Sequence, residues 1–345
     1  MILVTGGTGL VGSHLLFRLV TNNENVRAIY RREKTLQRVK NVFSYFSDDA
    51  EKLFNSIEWV EGDLNNIPKL KEAFKNITYV YHCAAFVSFE PDKYKMLRTA
   101  NIGGTANVVN LCISNRVKKL CYVSSIAAIG KHSNSEKLID EQTPWNPEED
   151  NSVYAITKYG AELEVWRGSQ EGLDTVIVNP GIILGAGYWN GGSSGNLFKK
   201  IRKGMRYYVH GITGYVDVWD VVSAMHQLMT SAIKNENFIL VSENLSFKTF
   251  QTKTANALSV QPPNKEAKPW LLGIAWRLDW LGFKLSGKRR RLTKQTAKSA
   301  TSISNYDNSK LKNTLDFQFK PIDKAIEEIC ELYLNAVSYT QLRAH

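Results

Sequence analysis

Cysteine is scarce in this chain. Its four thiols, Cys83, Cys112, Cys121 and Cys330, stand far apart, with no Cys-x-x-Cys pair. That spacing argues against a disulfide framework and against a metal site, and it fits free thiols in a reducing cytoplasm. Long apolar runs are missing too: none reaches membrane-spanning length without a charge. A strand begins at residue 1 and leaves no room for a signal peptide, so a cytoplasmic protein is the expectation. Acidic residues are the minority, 33 against 44 basic ones, for a net charge of +11. Part of the excess sits in Arg31-Arg32 and in Lys288-Arg289-Arg290-Arg291 and the rest is spread out, which does not single out nucleic acid as a partner. A phosphorylated cofactor or an anionic membrane surface would also suit such a chain.

What is present begins at the first residue. Met1 to Val4 read as a buried parallel strand, Thr5 to Gly9 as a glycine-rich turn, and Leu10 to Val20 as a helix. In that reading Gly6 permits a tight turn, Gly9 lets the backbone approach a pyrophosphate, and Gly12 lets the helix pack closely. The N–H groups of Leu10, Val11 and Gly12 then open the helix toward an anion. With 345 residues and alternating strand and helix patterns, the expected fold is α/β. A doubly wound parallel sheet would carry a smaller, less regular carboxyl-terminal α+β portion that binds substrate.

Further along, Asn25 to Tyr30 read as a second strand ending in Arg31 and Arg32. An acidic residue there suits a ribose 2′-hydroxyl and an arginine suits a 2′-phosphate, so NADP(H) is preferred over NAD(H). Asp63 and Leu64 follow a third strand; the carboxylate either accepts from an adenine amino group or caps a loop. Ala84 and Ala85 follow a fourth strand, small enough to admit a cofactor. A long helix over Asp92 to Asn115 contains Asn101, and Ser124 and Ser125 stand at the carboxyl end of a fifth strand, where ligands bind in such sheets. Tyr154 and Lys158 share one face of the next helix. A sixth strand leads into Asn179, Pro180 and Gly181.

A free phenol has a pKa near ~10, too high for a base at neutral pH. An ammonium one turn away and a cationic nicotinamide would favour the phenolate, so that Tyr154 passes a proton while hydride moves. Ser125 would hold the reacting oxygen, Lys158 the nicotinamide ribose, and Asn101 a water beneath the lysine.

In order and spacing, the glycine loop, Ser124-Ser125, Tyr154-x-x-x-Lys158 and Asn179-Pro180-Gly181 resemble the extended short-chain dehydrogenase/reductase family over about Met1 to Val241. The resemblance implies that Thr5, Gly6, Gly9 and Gly12 belong to the cofactor loop, and that Asp63 and Leu64 contact adenine. It further implies that Ala84, Ala85, Asn179, Pro180 and Gly181 line the cofactor, that Ser125, Tyr154, Lys158 and Asn101 are the catalytic set, and that the protein is a homodimer through the helices bearing Asn101 and Tyr154. The dehydratases of that family carry an Asp-Glu pair after the active-site hydroxyl residue, where this chain has Ile126-Ala127. Its epimerases place an arginine before the late Val-x-Asp stretch, and Gly211 to Asp217 contains none. The segment Val26 to Arg31 is similar to the dihydroflavonol reductase and 3β-hydroxysteroid dehydrogenase branch.

The expectation is therefore a reductase or dehydrogenase of an apolar ketone, aldehyde or secondary alcohol, with no metal, and with Phe86, Phe89, Tyr188 and Trp189 either lining the cavity or packing the core. A sugar-nucleotide epimerase with tightly bound NAD and a non-catalytic cofactor-binding sensor are the alternatives. Residues 1–185, with contributions from about 205–241, form the expected cofactor domain; 186–337 form the substrate portion, and 338–345 a disordered tail. Over Trp270 to Leu285 an apolar stripe reads as a lid in preference to a membrane-surface helix continuing to Arg291.

Overall fold

The computed structural model describes residues 1–342 apart from 133, 135, 190–193, 287–289 and 291, without side chains over 338–342. The tail residues 343–345, and Lys288, Arg289 and Arg291 of the basic run, therefore lie outside the described residues. The first half alternates strand and helix: β1 (Ile2–Thr5), α1 (Leu10–Thr21), β2 (Val26–Tyr30), α2 (Leu36–Phe43), α3 (Ala50–Asn55), β3 (Glu58–Glu61), α4 (Ile67–Ala73) and β4 (Tyr79–His82). There follow α5 (Tyr94–Leu97), α6 (Gly104–Ser114), β5 (Lys119–Val123), α7 (Val153–Gln170) and β6 (Asp174–Pro180). The second half is less regular: β7 (Ile182–Leu184), α8 (Gly195–Arg202), β8 (Tyr207–Tyr208), β9 (Ile212–Asp217), α9 (Val218–Thr230), β10 (Glu236–Leu240) and β11 (Glu243–Ser246). It closes with α10 (Phe247–Ala257), β12 (Lys265–Glu266), α11 (Pro269–Ser286), α12 (Lys294–Ser299), α13 (Ser309–Leu315) and α14 (Ile322–Leu342).

Seven strands form one parallel sheet in the order β10-β6-β5-β4-β1-β2-β3. Both of its faces are covered, which is why its strands are apolar at consecutive positions instead of alternating. Ile2 and Val4 point into a core shared with α1, α2 and α9, while Leu3 between them points into a second core built with α4, α6 and α7. The chain winds outward from β1 to β2 and β3, then returns to pair β4 with the other edge of β1, with Thr5 beside His82. This reversal opens a crevice at the carboxyl ends of β1 and β4, the place where doubly wound sheets bind ligands.

The expected helix over Asp92 to Asn115 is interrupted. Between α5 and α6 a π-helical turn runs from Arg98 to Gly103 and carries Asn101. A π-bulge is an insertion that neither side-chain period nor composition announces. The carboxyl-terminal half adds a sheet ordered β11-β9-β7 and a third core that joins Phe198, Tyr215 and Phe250 to Ile322, Ile326 and Ile329 of α14. That last helix keeps its backbone form to Leu342, through five residues of the stretch expected to be a tail.

Candidate active site

The glycine loop takes the shape its spacing suggested. Gly6 adopts φ +70, and a Cβ there would stand 2.5 Å from the backbone nitrogen of Ala84, so the loop and the Ala84-Ala85 segment after β4 meet backbone to backbone. A Cβ on Gly12 would lie 2.2 Å from the Gly6 carbonyl oxygen, which makes this glycine obligatory for the turn itself. Gly9 differs: a Cβ would find only the Gly6 oxygen, at 3.3 Å, so the protein does not itself demand a glycine there. A missing side chain on the open side of the loop, above a helix whose first turn receives no side-chain cap, fits the approach of a pyrophosphate. Tyr188 clasps the loop from outside, its hydroxyl donating to the Thr8 carbonyl at 2.8 Å. Expected as a possible cavity wall, Tyr188 is a buried support of the cofactor loop, and Trp189 donates its indole N–H to the Tyr45 hydroxyl and packs on Tyr333.

Ser125 follows β5 and Tyr154 lies in the first turn of α7, and their hydroxyls lie near one another. Ser152 caps α7 by accepting from the Ala155 N–H at 3.1 Å, which starts the helix one residue before the tyrosine. Burial pushes the Tyr154 phenol up to about 12, and a hydrogen bond with the Ser125 hydroxyl works in the opposite direction. The Phe89 ring meets the Tyr154 ring edge-on at 5.4 Å, placing an apolar wall beside the hydroxyl.

Lys158 points elsewhere than at the phenol. Its ammonium donates to the Tyr122 hydroxyl at 2.5 Å and to the Val123 carbonyl at 2.9 Å, and burial lowers its pKa from 10.5 to about 7. The expected downward pull of Lys158 on Tyr154 is thus absent from the balance: burial dominates the phenol, and the amine is committed to β5.

Around the lysine lies a connected polar interior that the sequence reading missed. The Tyr122 hydroxyl also meets Thr105, and the Thr105 hydroxyl pairs with His82 Nε2 at 2.9 Å. His82 Nδ1 pairs in turn with the Thr5 hydroxyl at 2.6 Å. Burial, with Lys158 adding to it, lowers the His82 pKa to about 3 and keeps the ring neutral. On the other side, Glu162 accepts from Ser124 at 2.5 Å and from the Asn179 amide at 2.9 Å. The same amide donates to the Ser125 carbonyl at 3.1 Å. Glu162 extends the Tyr154–Lys158 spacing by four more residues, so helical periodicity could have found it. His82, Thr105 and Tyr122 gave no such signal, because their meeting depends on strand register.

Other expected residues land as follows. Thr5 turns its hydroxyl inward to His82. Asn101 spends its side chain on the Phe86 backbone N–H at 2.7 Å, the Phe86 carbonyl at 3.0 Å and the Thr157 hydroxyl at 3.2 Å, tying the Phe86 segment to α7. Arg31 and Asp63 meet at 3.8 Å at the ends of β2 and β3, both exposed, while Arg32 stands exposed beside them. Leu64 packs near Gly104 and accepts from Asn107 at 2.8 Å. Pro180 is buried at the end of β6, and a Cβ on Gly181 would stand 2.4 Å from the Gly214 oxygen, where β6 crosses to the second sheet. Among the described residues no cluster of His, Cys, Asp and Glu could hold a metal, and no helix is long and apolar enough to cross a membrane.

The site can bind an anion at its loop and offer two neighbouring hydroxyls to a reacting oxygen beside the Phe89 ring. A Synechocystis sp. protein provisionally named dihydroflavonol 4-reductase is 27% identical over 96% of this chain and 94% of its own length. The Arabidopsis thaliana 3beta-hydroxysteroid-dehydrogenase/decarboxylase isoform 1 is 23% identical over 83% and 69%. The crystal structure of gox2253 superimposes with a TM-score of 0.80 at 25% identity, covering 97% of this chain and 98% of that one. The UDP-glucose 4-epimerase of Thermotoga maritima shares the fold, with a TM-score of 0.72 at 20% identity over 97% and 99%. The profile of the NAD dependent epimerase/dehydratase family matches residues 2–240, and the chain belongs to that family of enzymes.

Proposed function

We propose that the protein is an NADP-preferring oxidoreductase that interconverts an apolar ketone or aldehyde and its alcohol. The observation that carries this reading is the nearness of the Ser125 and Tyr154 hydroxyls at the carboxyl end of β5, on the sheet edge that bears the glycine loop. NADP(H) bound along that edge supplies or accepts the hydride. Tyr154 then gives its proton to the carbonyl oxygen, burial keeping the phenol protonated until the reacting oxygen takes that proton. Ser125 holds that oxygen through its own hydroxyl, and Asn179 and Glu162 fix the segment that carries the serine. Lys158 would have to turn from Tyr122 and the Val123 carbonyl, its partners here, to anchor the ribose, while Asn101 locks the Phe86 segment to α7. Phe86 and Phe89 give the cavity its apolar character. In this division residues 1–185 carry the cofactor, and the carboxyl-terminal half shapes the substrate side.

Arg31, exposed at the end of β2, is the proposed partner of the 2′-phosphate, with Asp63 turned to it. Arg31→Ala should weaken NADPH at least ~10-fold while NADH changes little, since a guanidinium–phosphate contact is a charge-assisted bond. Equal losses for both cofactors would remove the 2′-phosphate assignment. Exposed Met96, Ile156 and Leu163 support homodimerisation through the helices bearing Asn101 and Tyr154. The deciding experiment is NADPH consumption by the purified protein across a panel of apolar carbonyl compounds. An unexchanged NAD that survives purification, with no net consumption, would favour an epimerase instead.

A further inference from the structure

We propose that α11 is a membrane-surface helix that seats the protein on an anionic phospholipid bilayer. This does not depend on the catalytic reading. The stripe expected to pack as a lid faces outward: Trp270, Ile274, Leu278, Leu281 and Leu285 are 62, 50, 62, 47 and 80% exposed. Their spacing of three and four places all of them on one side of the helix. The opposite side, with Leu271, Leu272, Ala275, Trp276 and Phe283, is half-buried against the protein. One side therefore docks the helix, and nothing in the described chain covers the other.

Charge identifies the occupant. From Lys268 to Lys298 the sequence carries nine basic residues and one acid, Asp279; Lys294 and Lys298 meet Asp150 at 3.6 Å and Arg290 meets Asp279, which leaves Lys268, just before the helix, and Arg277 and Lys284 within it as its described cations. Asp279 belongs to the inner side, accepting from the Leu292 N–H at 3.3 Å with Arg290 at 3.8 Å, and so does not oppose an anion at the stripe. Lys284 lies over the Trp280 ring at 4.5 Å, a cation paired with an exposed indole, and Arg277 lies over the inward Trp276 ring at 4.7 Å. Apolar side chains flanked by tryptophan and base are the composition of a helix lying in the headgroup region. A second copy of this chain would bring like charge against like charge, and nucleic acid would leave the leucines in water.

The test uses the full chain and vesicles of phosphatidylcholine with or without phosphatidylglycerol. Wild-type protein should pellet with the anionic vesicles, release as salt is raised, and pellet weakly with phosphatidylcholine alone. The triple variant Leu278→Gln, Leu281→Gln, Leu285→Gln should lose binding by ~10-fold or more; exposed positions spare the fold, and an unchanged circular dichroism spectrum verifies that. The proposal is overturned by equal pelleting with both vesicles, by a triple variant that pellets like the wild type, or by a triple variant that only converts a dimer to a monomer. Binding of DNA with no binding of vesicles would overturn it in favour of a nucleic-acid surface.

Discussion

On and beneath α7 the protein buries Lys158, Glu162, His82, Tyr122 and Asn179 where hydrophobic side chains ordinarily pack, and along α11 it exposes six large apolar side chains where charges ordinarily stand. The two departures differ in how they are compensated. Each buried group under α7 finds a partner inside the molecule: Lys158 on Tyr122, His82 between two threonines, Glu162 on Ser124 and Asn179. The α11 stripe finds none among the described residues. Buried polar groups are tolerated when satisfied, and exposed apolar patches point to a surface outside the molecule. One region is therefore compensated within the molecule, the Asn179 Oδ1 excepted, and the other has its compensation outside it.

The sharpest way to break the first half of this comparison is Tyr154→Phe. It removes the proton donor and nothing else, so turnover should fall by roughly 10²–10⁴-fold while cofactor still binds, as is usual for loss of a general acid. Near-normal turnover would take the tyrosine out of the mechanism.

Next in size is a paired measurement of stability. Tyr122→Phe withdraws the hydroxyl from a buried ammonium and should cost about 1–3 kcal/mol by urea unfolding. Leu278→Gln, on the outward face of α11, should change it by less than ~0.5 kcal/mol. Equal costs would abolish the distinction between internal and external compensation.

Glu162→Gln gives a smaller, directional effect. Glu162 raises the Lys158 pKa, so removing its charge should let the lysine lose its proton at a lower pH than about 7. In the unfolded chain Lys158 keeps its proton to about 10.5. Between these two values the unfolded state binds more protons and stability rises with pH, and the variant should begin that rise earlier. Unfolding midpoints from pH 6 to 10 read this out, and an unchanged profile would separate Glu162 from the lysine.

Much of this was legible in the residues. Apolar strands, the glycine turn and the Tyr154–Lys158 spacing are local patterns, and β1, α1 and α7 formed where those patterns lay. The Ser125–Tyr154 meeting was legible because a strand end and a helix start face the same crevice in a doubly wound sheet. The direction of Lys158 was not: it depends on Tyr122, which only the β4–β5 register brings alongside His82 and Thr105. Nor was the outward turn of the α11 stripe, since periodicity gives a face and not what lies opposite it. The π turn at Asn101 escaped for a related reason, being an inserted residue in an otherwise regular helix.

The central claim is that the Tyr154 and Ser125 hydroxyls, beside Lys158, direct hydride exchange with a carbonyl carbon. NADPH deuterated at the transferable position of its nicotinamide, incubated with a carbonyl substrate of the wild-type enzyme, should yield alcohol carrying one deuterium on the carbinol carbon, and Tyr154→Phe should yield almost none. Deuterium retained on the cofactor through every substrate tried, or transferred equally well by the phenylalanine variant, would contradict the account.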